Sequence, residues 1–165
     1  MSIRKGIILA GGKGTRLSPL TKSISKQLLP LYDKPMVYYP LTTLMYLGIK
    51  DILIITNPNE INLFKNLLGD GKNLGINISY EIQNKPEGLA QALIIGEKFL
   101  DGNPSILILG DNIFHGEKML DSFERSMERK NGATIFCYPV NNPKDYGVIE
   151  FSKDNKVIRI VEKPE

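Results

Sequence analysis

A three-layer α/β fold around a mostly parallel sheet is predicted by three features of the 165-residue sequence. Short apolar runs recur without polar alternation, each run ends at a turn signal, and helix-length amphipathic stretches separate them. Runs that do not alternate suit strands covered on both faces, and strands alternating with helices give parallel βαβ units.

Taken in order, the first run is Ile7, Ile8, Leu9 and Ala10, stopped by Gly11 and Gly12. Helical spacing of Leu41, Leu44, Met45 and Leu47 predicts a helix over 38–47, with Gly48 as its stop. The second run, Ile52, Leu53, Ile54 and Ile55, ends at Asn57 and Pro58, and a helix over 60–68 follows with Ile61, Phe64, Leu67 and Leu68. Leu89, Ala92, Leu93, Ile95 and Leu100 predict a helix over 88–100. The run Ile106, Leu107, Ile108 and Leu109 then ends at Gly110, Asp111 and Asn112. A helix over 117–129 carries Leu120, Phe123 and Met127. The last forty residues read differently, with strands expected over 133–140, 146–151 and 156–161 and a turn cluster from Ser152 to Asn155. The sheet is therefore expected to gain an antiparallel or mixed portion near its end. No repeat, low-complexity tract or linker interrupts the chain, so 1–165 is expected to be a single domain.

Composition narrows the function. At 42% hydrophobic and 24% charged, the chain reads as an ordinary globular protein, which excludes disorder as its main state. A net charge of +3 is too small to argue for nucleic-acid binding and suits an anionic small ligand. Cys137 is the single cysteine, so an internal disulfide is excluded; with Ile135, Phe136 and Tyr138 around it, a buried structural thiol is expected. His115 is the single histidine, so no zinc pattern exists, and His115 itself receives no role. No run approaches the roughly 18 apolar residues of a membrane span, and the N-terminal run is too short for a signal peptide. The expectation is a cytoplasmic protein without membrane contact.

The loop after the first strand, residues 11–16, reads GGKGTR. Ligands of open parallel sheets sit at the carboxyl ends of strands, where glycines let backbone N–H groups approach an anion. Lys13 and Arg16 add positive charge, so a phosphate-binding loop is expected. A dinucleotide fingerprint needs a third glycine where Leu17 stands, and a P-loop needs Ser or Thr where Gly14 stands. Both near misses argue against a dehydrogenase and a P-loop kinase.

Residues 11–30 continue as GGKGTRLSPLTKSISKQLLP, followed by YDKPMVYYPL at 32–41. This resembles the signature of the sugar-phosphate nucleotidylyltransferase family, G-G-x-G-T-R-L-x-P-x-T followed by K-x-L-L-P, and within it the thymidylyl-transferring branch. The resemblance implies a Rossmann-like three-layer nucleotidyltransferase fold with a mixed, mostly parallel sheet. It implies transfer of a thymidylyl group from dTTP to glucose 1-phosphate, giving dTDP-glucose and pyrophosphate, the first step of dTDP-L-rhamnose synthesis for cell-surface polysaccharide. Two other readings stay open: a non-catalytic nucleotide or nucleotide-sugar binding module, and a nucleotidyltransferase using UTP or CTP.

The resemblance also distributes roles. It gives nucleotide binding to Leu9, Gly11, Gly12, Gly14, Thr15, Arg16 and Lys26, and catalysis to Arg16, Lys26 and Lys163. Gln83 and Gly88, in the stretch QNKPEGLAQA at 83–92, are implied to contact the base. A glutamine amide donates and accepts, which suits a pyrimidine edge with one ring N–H and two carbonyls; alone, Gln83 reads as a solvated strand end. Asp111 is implied to be a Mg²⁺ ligand, and a carboxylate at the tip of a parallel strand is well placed for a cation shared with substrate phosphates. Read without the family, Asp111 has a lesser alternative as a turn aspartate capping Asn112 and Ile113. Tyr146, Gly147, Glu162 and Lys163 match segments implied to hold the sugar phosphate. Family members are substantially longer, with a second metal-binding aspartate beyond this chain's last residue. The chain is therefore expected to be an N-terminal portion or a shortened relative, of an enzyme that is a homo-oligomer, a tetramer, in its complete form.

Overall fold

The computed structural model describes residues 4–12, 14–154, 156–162 and 164. They fall into two compact units, Met1–Glu124 and Arg125–Glu165. In chain order the strands are β1 (Lys5–Leu9), β2 (Pro30–Leu31), β3 (Lys34–Pro35), β4 (Asp51–Thr56), β5 (Asn77–Ile82), β6 (Ser105–Leu109), β7 (Gly147–Phe151) and β8 (Val157–Glu162). The α-helices are α1 (Tyr38–Tyr46), α2 (Ile61–Leu68), α3 (Gln91–Ile95), α4 (Glu97–Leu100) and α5 (Glu117–Met127).

The first unit is built on a four-stranded parallel sheet in the order β5-β4-β1-β6. Register places Ile7 between Leu53 and Leu107, and Leu9 between Ile55 and Leu109. Because strand side chains alternate, these residues share one face. There Ile7, Leu53 and Ile55 form a core cluster with Ala92, flanked by Ile95, Phe99 and Leu100 of α3 and α4. The opposite face carries Gly6, Ile8, Ile54 and Tyr80. A Cβ on Gly6 would stand 2.8 Å from Leu44 Cδ1, so α1 lies close against β1. On the same face the Tyr80 hydroxyl donates to Gly69 O at 2.6 Å, just past the end of α2. Helices thus cover both faces, giving the three layers read from the sequence. The middle of β4 is apolar without alternation for this reason: Ile52, Leu53, Ile54 and Ile55 are all buried.

Three details differ from expectation. The helix read over 88–100 starts at Gln91 and divides at Gly96, where a Cβ would lie 2.8 Å from Ile7 Cδ1. The antiparallel portion is a separate two-stranded sheet in the second unit, β7 with β8. Its rungs include Gly147 opposite Glu162, and Glu150 grips the Arg159 guanidinium through two bonds of 2.7 and 2.8 Å. Residues 133–140 form no strand, and Cys137 is exposed rather than a buried structural thiol. Local apolarity does not suffice there, because a strand exists only where a neighbour takes up its backbone hydrogen bonds.

Two consequences are measurable. Leu53 is 1% exposed in the α3–α4 face, so Leu53→Ala should lower the unfolding free energy by about 2–5 kcal/mol in a urea titration. Burial, with the Asp70 charge as a lesser cause, pushes the Tyr80 hydroxyl up from 10.0 to about 12. The folded chain then keeps a proton that the unfolded chain releases, so stability present below pH 10 is lost as pH rises towards about 12. Tyr80→Phe should flatten the alkaline fall in stability across that window, measured by denaturant melts at stepped pH.

Candidate functional site

The level ends of β1, β4, β5 and β6 bring four loops to one edge of the sheet. Each ladder runs one residue further: Ala10 N donates to Ile55 O at 2.7 Å, Gly110 N to Leu9 O at 2.8 Å, and Gln83 N to Thr56 O at 2.8 Å. The glycine loop, Gln83 and the Gly110-Asp111 turn therefore start side by side. Leu9 keeps its side chain in the core and lends only backbone to this edge.

Close approach explains the glycines. A Cβ on Gly11 would collide with Gln83 Oε1, so a larger residue there would displace that amide. Gly14 sits in the left-handed region at φ 58°, where a side chain would be strained and would also meet Thr21 Cγ2 at 2.9 Å. The Thr21 hydroxyl donates to Gly14 O at 2.8 Å and ties the loop to the segment that carries Lys26. Arg16 and Thr15 lie exposed on a short 3₁₀ turn, Thr15–Leu17. Lys13 lies outside the described residues.

A second 3₁₀ turn, Lys26–Leu28, crosses the same edge. It is held from below by Gln27, whose side chain comes so close to Gly110 that a Cβ there would lie 2.8 Å from Gln27 Cγ. The Ser25 hydroxyl donates to Gln27 Oε1, and both side chains are buried. The sequence reading assigned Gln27 no role, although it occupies the variable position of the K-x-L-L-P motif. This support aims Lys26 at the turn after β6, and Lys26 Nζ donates to Asp111 Oδ2 at 3.0 Å. Asn112 N donates to Leu109 O, so the turn closes on backbone while the Asp111 carboxylate faces the lysine. Among the described residues no three His, Cys, Asp or Glu side chains cluster to hold a metal ion. Asp111 can therefore contribute one hard oxygen ligand to a cation whose other ligands come from a bound polyanion, a donor set that suits Mg²⁺.

An open cleft of about 520 Å³ runs beside the loop, lined by Gly12, Thr15, Ser18, Thr21, Lys22, Asn57 and Glu60. Asn57 and Glu60 follow β4 and had no sequence signal beyond the turn there; the Asn57 amide donates to Glu60 Oε2. Gln83 is 4% exposed, which excludes the solvated strand end. Its Nε2 donates to Gln91 Oε1. Gly88 and His115 are exposed. In the second unit, Tyr146 is exposed, and a Cβ on Gly147 would stand 3.2 Å from Glu162 Oε2, so the hairpin sets these two residues together. Lys163 lies outside the described residues.

A parallel sheet with a glycine loop, a lysine–carboxylate pair and a buried amide at its carboxyl edge is the architecture of a nucleotide-handling enzyme. The family described as nucleotidyl transferase matches residues 5–165, and the chain belongs to that family. It is 61% identical over all 165 residues to the glucose-1-phosphate thymidylyltransferase of Xanthomonas campestris. It is 54% identical over 161 residues, 98% of the chain, to that of Neisseria meningitidis. In both comparisons the chain spans 56% of the relative's length. Among solved structures it matches a protein from Bacillus anthracis described as a glucose-1-phosphate thymidylyltransferase in complex with sucrose, with a TM-score of 0.87 and 39% identity over 98% of this chain and 65% of that one. It also matches a UDP-glucose pyrophosphorylase complexed with UDP-glucose, with a TM-score of 0.73 and 27% identity over 98% of this chain and 69% of that one.

The Lys26 and Asp111 side chains are 31% and 32% exposed, so solvent screens their attraction. Lys26→Met and Asp111→Asn should each change the urea unfolding free energy by less than about 1 kcal/mol. A larger loss would make the pair a structural brace.

Proposed function

We propose that the protein transfers a thymidylyl group from dTTP to glucose 1-phosphate, releasing dTDP-glucose and pyrophosphate. The observation that carries this reading is the meeting of the glycine loop, the Lys26–Asp111 pair and Gln83 at one sheet edge. The names of the relatives support the choice of substrates. A phosphate oxygen of the sugar phosphate attacks the α-phosphorus in line; that P–O bond forms as the bond to the leaving pyrophosphate breaks. The nucleophile is already an anion, so no general base is needed, and the protein's work is positioning and charge stabilisation.

In this reading the loop amides and Arg16 hold the triphosphate and the departing pyrophosphate. Lys26 holds the nucleotide phosphates, which requires it to leave Asp111. Asp111 is then free to hold Mg²⁺, which when bound neutralises charge on the triphosphate. Gln83, beside Gly11, takes the base edge, with Gly88 at the same base. Tyr146, Gly147, Glu162 and Lys163 serve the sugar phosphate, Glu162 accepting from sugar hydroxyls and Lys163 orienting the nucleophile. The family match runs through both compact units, which supports one nucleotidyltransferase domain over 1–165. The reading makes the complete protein a cytoplasmic homo-oligomer that starts dTDP-L-rhamnose synthesis. No helix among the described residues is long and apolar enough to cross a membrane.

The test is pyrophosphate release with dTTP and glucose 1-phosphate, compared with UTP and CTP. In the active protein Arg16→Ala should cost at least about a hundredfold in kcat, roughly 3 kcal/mol, the scale of one preorganised charge. Its melting curve should stay unchanged, since Arg16 is exposed. Near-normal turnover would remove Arg16 from the machinery.

A further inference from the structure

Behind Gln83 lies a chain of side-chain hydrogen bonds with a fixed direction. Gln83 Nε2 donates to Gln91 Oε1. That oxygen also accepts from Glu87 N at 3.1 Å, and Gln91 Nε2 donates to Glu87 Oε2 at 2.8 Å. The chain ends on a carboxylate, which when ionised only accepts. Turning the Gln91 amide over would set its oxygen against that carboxylate and its NH₂ against the Glu87 N–H. Gln91 is therefore held with its oxygen towards Gln83, and Gln83 is held with its NH₂ towards Gln91 and its oxygen against Gly11.

We propose that Gln91, oriented by Glu87, is a positioning residue that locks the amide of Gln83 and so enforces thymine or uracil over cytosine. The inference rests on Gln83 being the base reader in the proposed reaction. A uracil-type edge offers a ring N–H and carbonyl oxygens; cytosine offers a bare ring nitrogen and an amino group. An unrestrained glutamine satisfies either edge by rotating its terminal amide half a turn. In this chain that rotation opposes the oxygens of Gln83 and Gln91 and turns an NH₂ towards Gly11. The preference thus comes from two residues beyond the base, through the one-way donor order they impose. Gln91 opens α3, and Glu87 lies in the loop just before it, where the Glu87 N–H donating to Gln91 Oε1 folds the loop back onto the start of the helix.

The experiment has two arms. In the free protein, the side-chain NH₂ signals of Gln83 are followed by ¹⁵N NMR. Gln91→Leu should shift them and speed their exchange with solvent, whereas Glu87→Gln with Gln91→Glu should leave them near their original positions. The exchanged pair keeps an acceptor facing Gln83 and a donor–acceptor contact between 87 and 91. In the active protein, the ratio of kcat/KM for dTTP to that for CTP should fall about tenfold in Gln91→Leu, the scale of one hydrogen bond, and recover in the exchanged pair. Unmoved Gln83 signals, an unchanged ratio in Gln91→Leu, or an equal loss in the exchanged pair would each overturn the lock. A wild-type protein that turns over no dTTP would instead overturn the reaction proposed above, with the NMR arm still testing the lock.

Discussion

The sheet-edge part of the candidate site depends on the register of buried strands. Leu9, Ile55 and Leu109 lie level, so the loops after β1, β4 and β6 leave the sheet along one line. Slipping a strand by one residue would send its core side chains to the other face, which the layers of helices on both sides forbid. Apolar burial therefore fixes where the glycine loop, the turn after β4 and the Gly110-Asp111 turn stand relative to each other. The polar chemistry is placed by residues that take no part in it.

Once those loops are level, space between them is scarce, and this selects small residues. Gly11 yields to Gln83 Oε1, and Gly110 yields to Gln27 and Ala10. The same crowding makes Gln27 a brace for Lys26, whose ammonium then meets Asp111. That pair is only one-third exposed on each side, neither dry enough to be costly nor wet enough to be irrelevant. It suits groups that must exchange partners when a polyanion arrives.

Electrostatics and hydrogen-bond direction divide the labour. In the proposed reaction Arg16, Lys26 and Asp111 would handle charge, which any triphosphate presents. Gln83, Gln91 and Glu87 would there handle donor order, which separates cytosine from uracil or thymine. Keeping the second task on a neutral amide avoids placing a charge at a residue only 4% exposed, where desolvation would penalise it.

The parallel layers are legible in the local pattern, because unalternating apolar runs suit strands buried on both faces. The glycine loop is legible in its own residues, whereas Lys26 and Asp111 stand out chiefly through the family resemblance. The sequence by itself misjudged 133–140 and Cys137, since whether an apolar segment becomes a strand depends on a partner no local pattern names. Long-range packing is what buries Gln83 against Gly11, sets Gln27 under Lys26, and brings Asn57 and Glu60 to the cleft. Those contacts join residues tens of positions apart, and they exist because the sheet packs its strands in the order β5-β4-β1-β6 rather than in chain order.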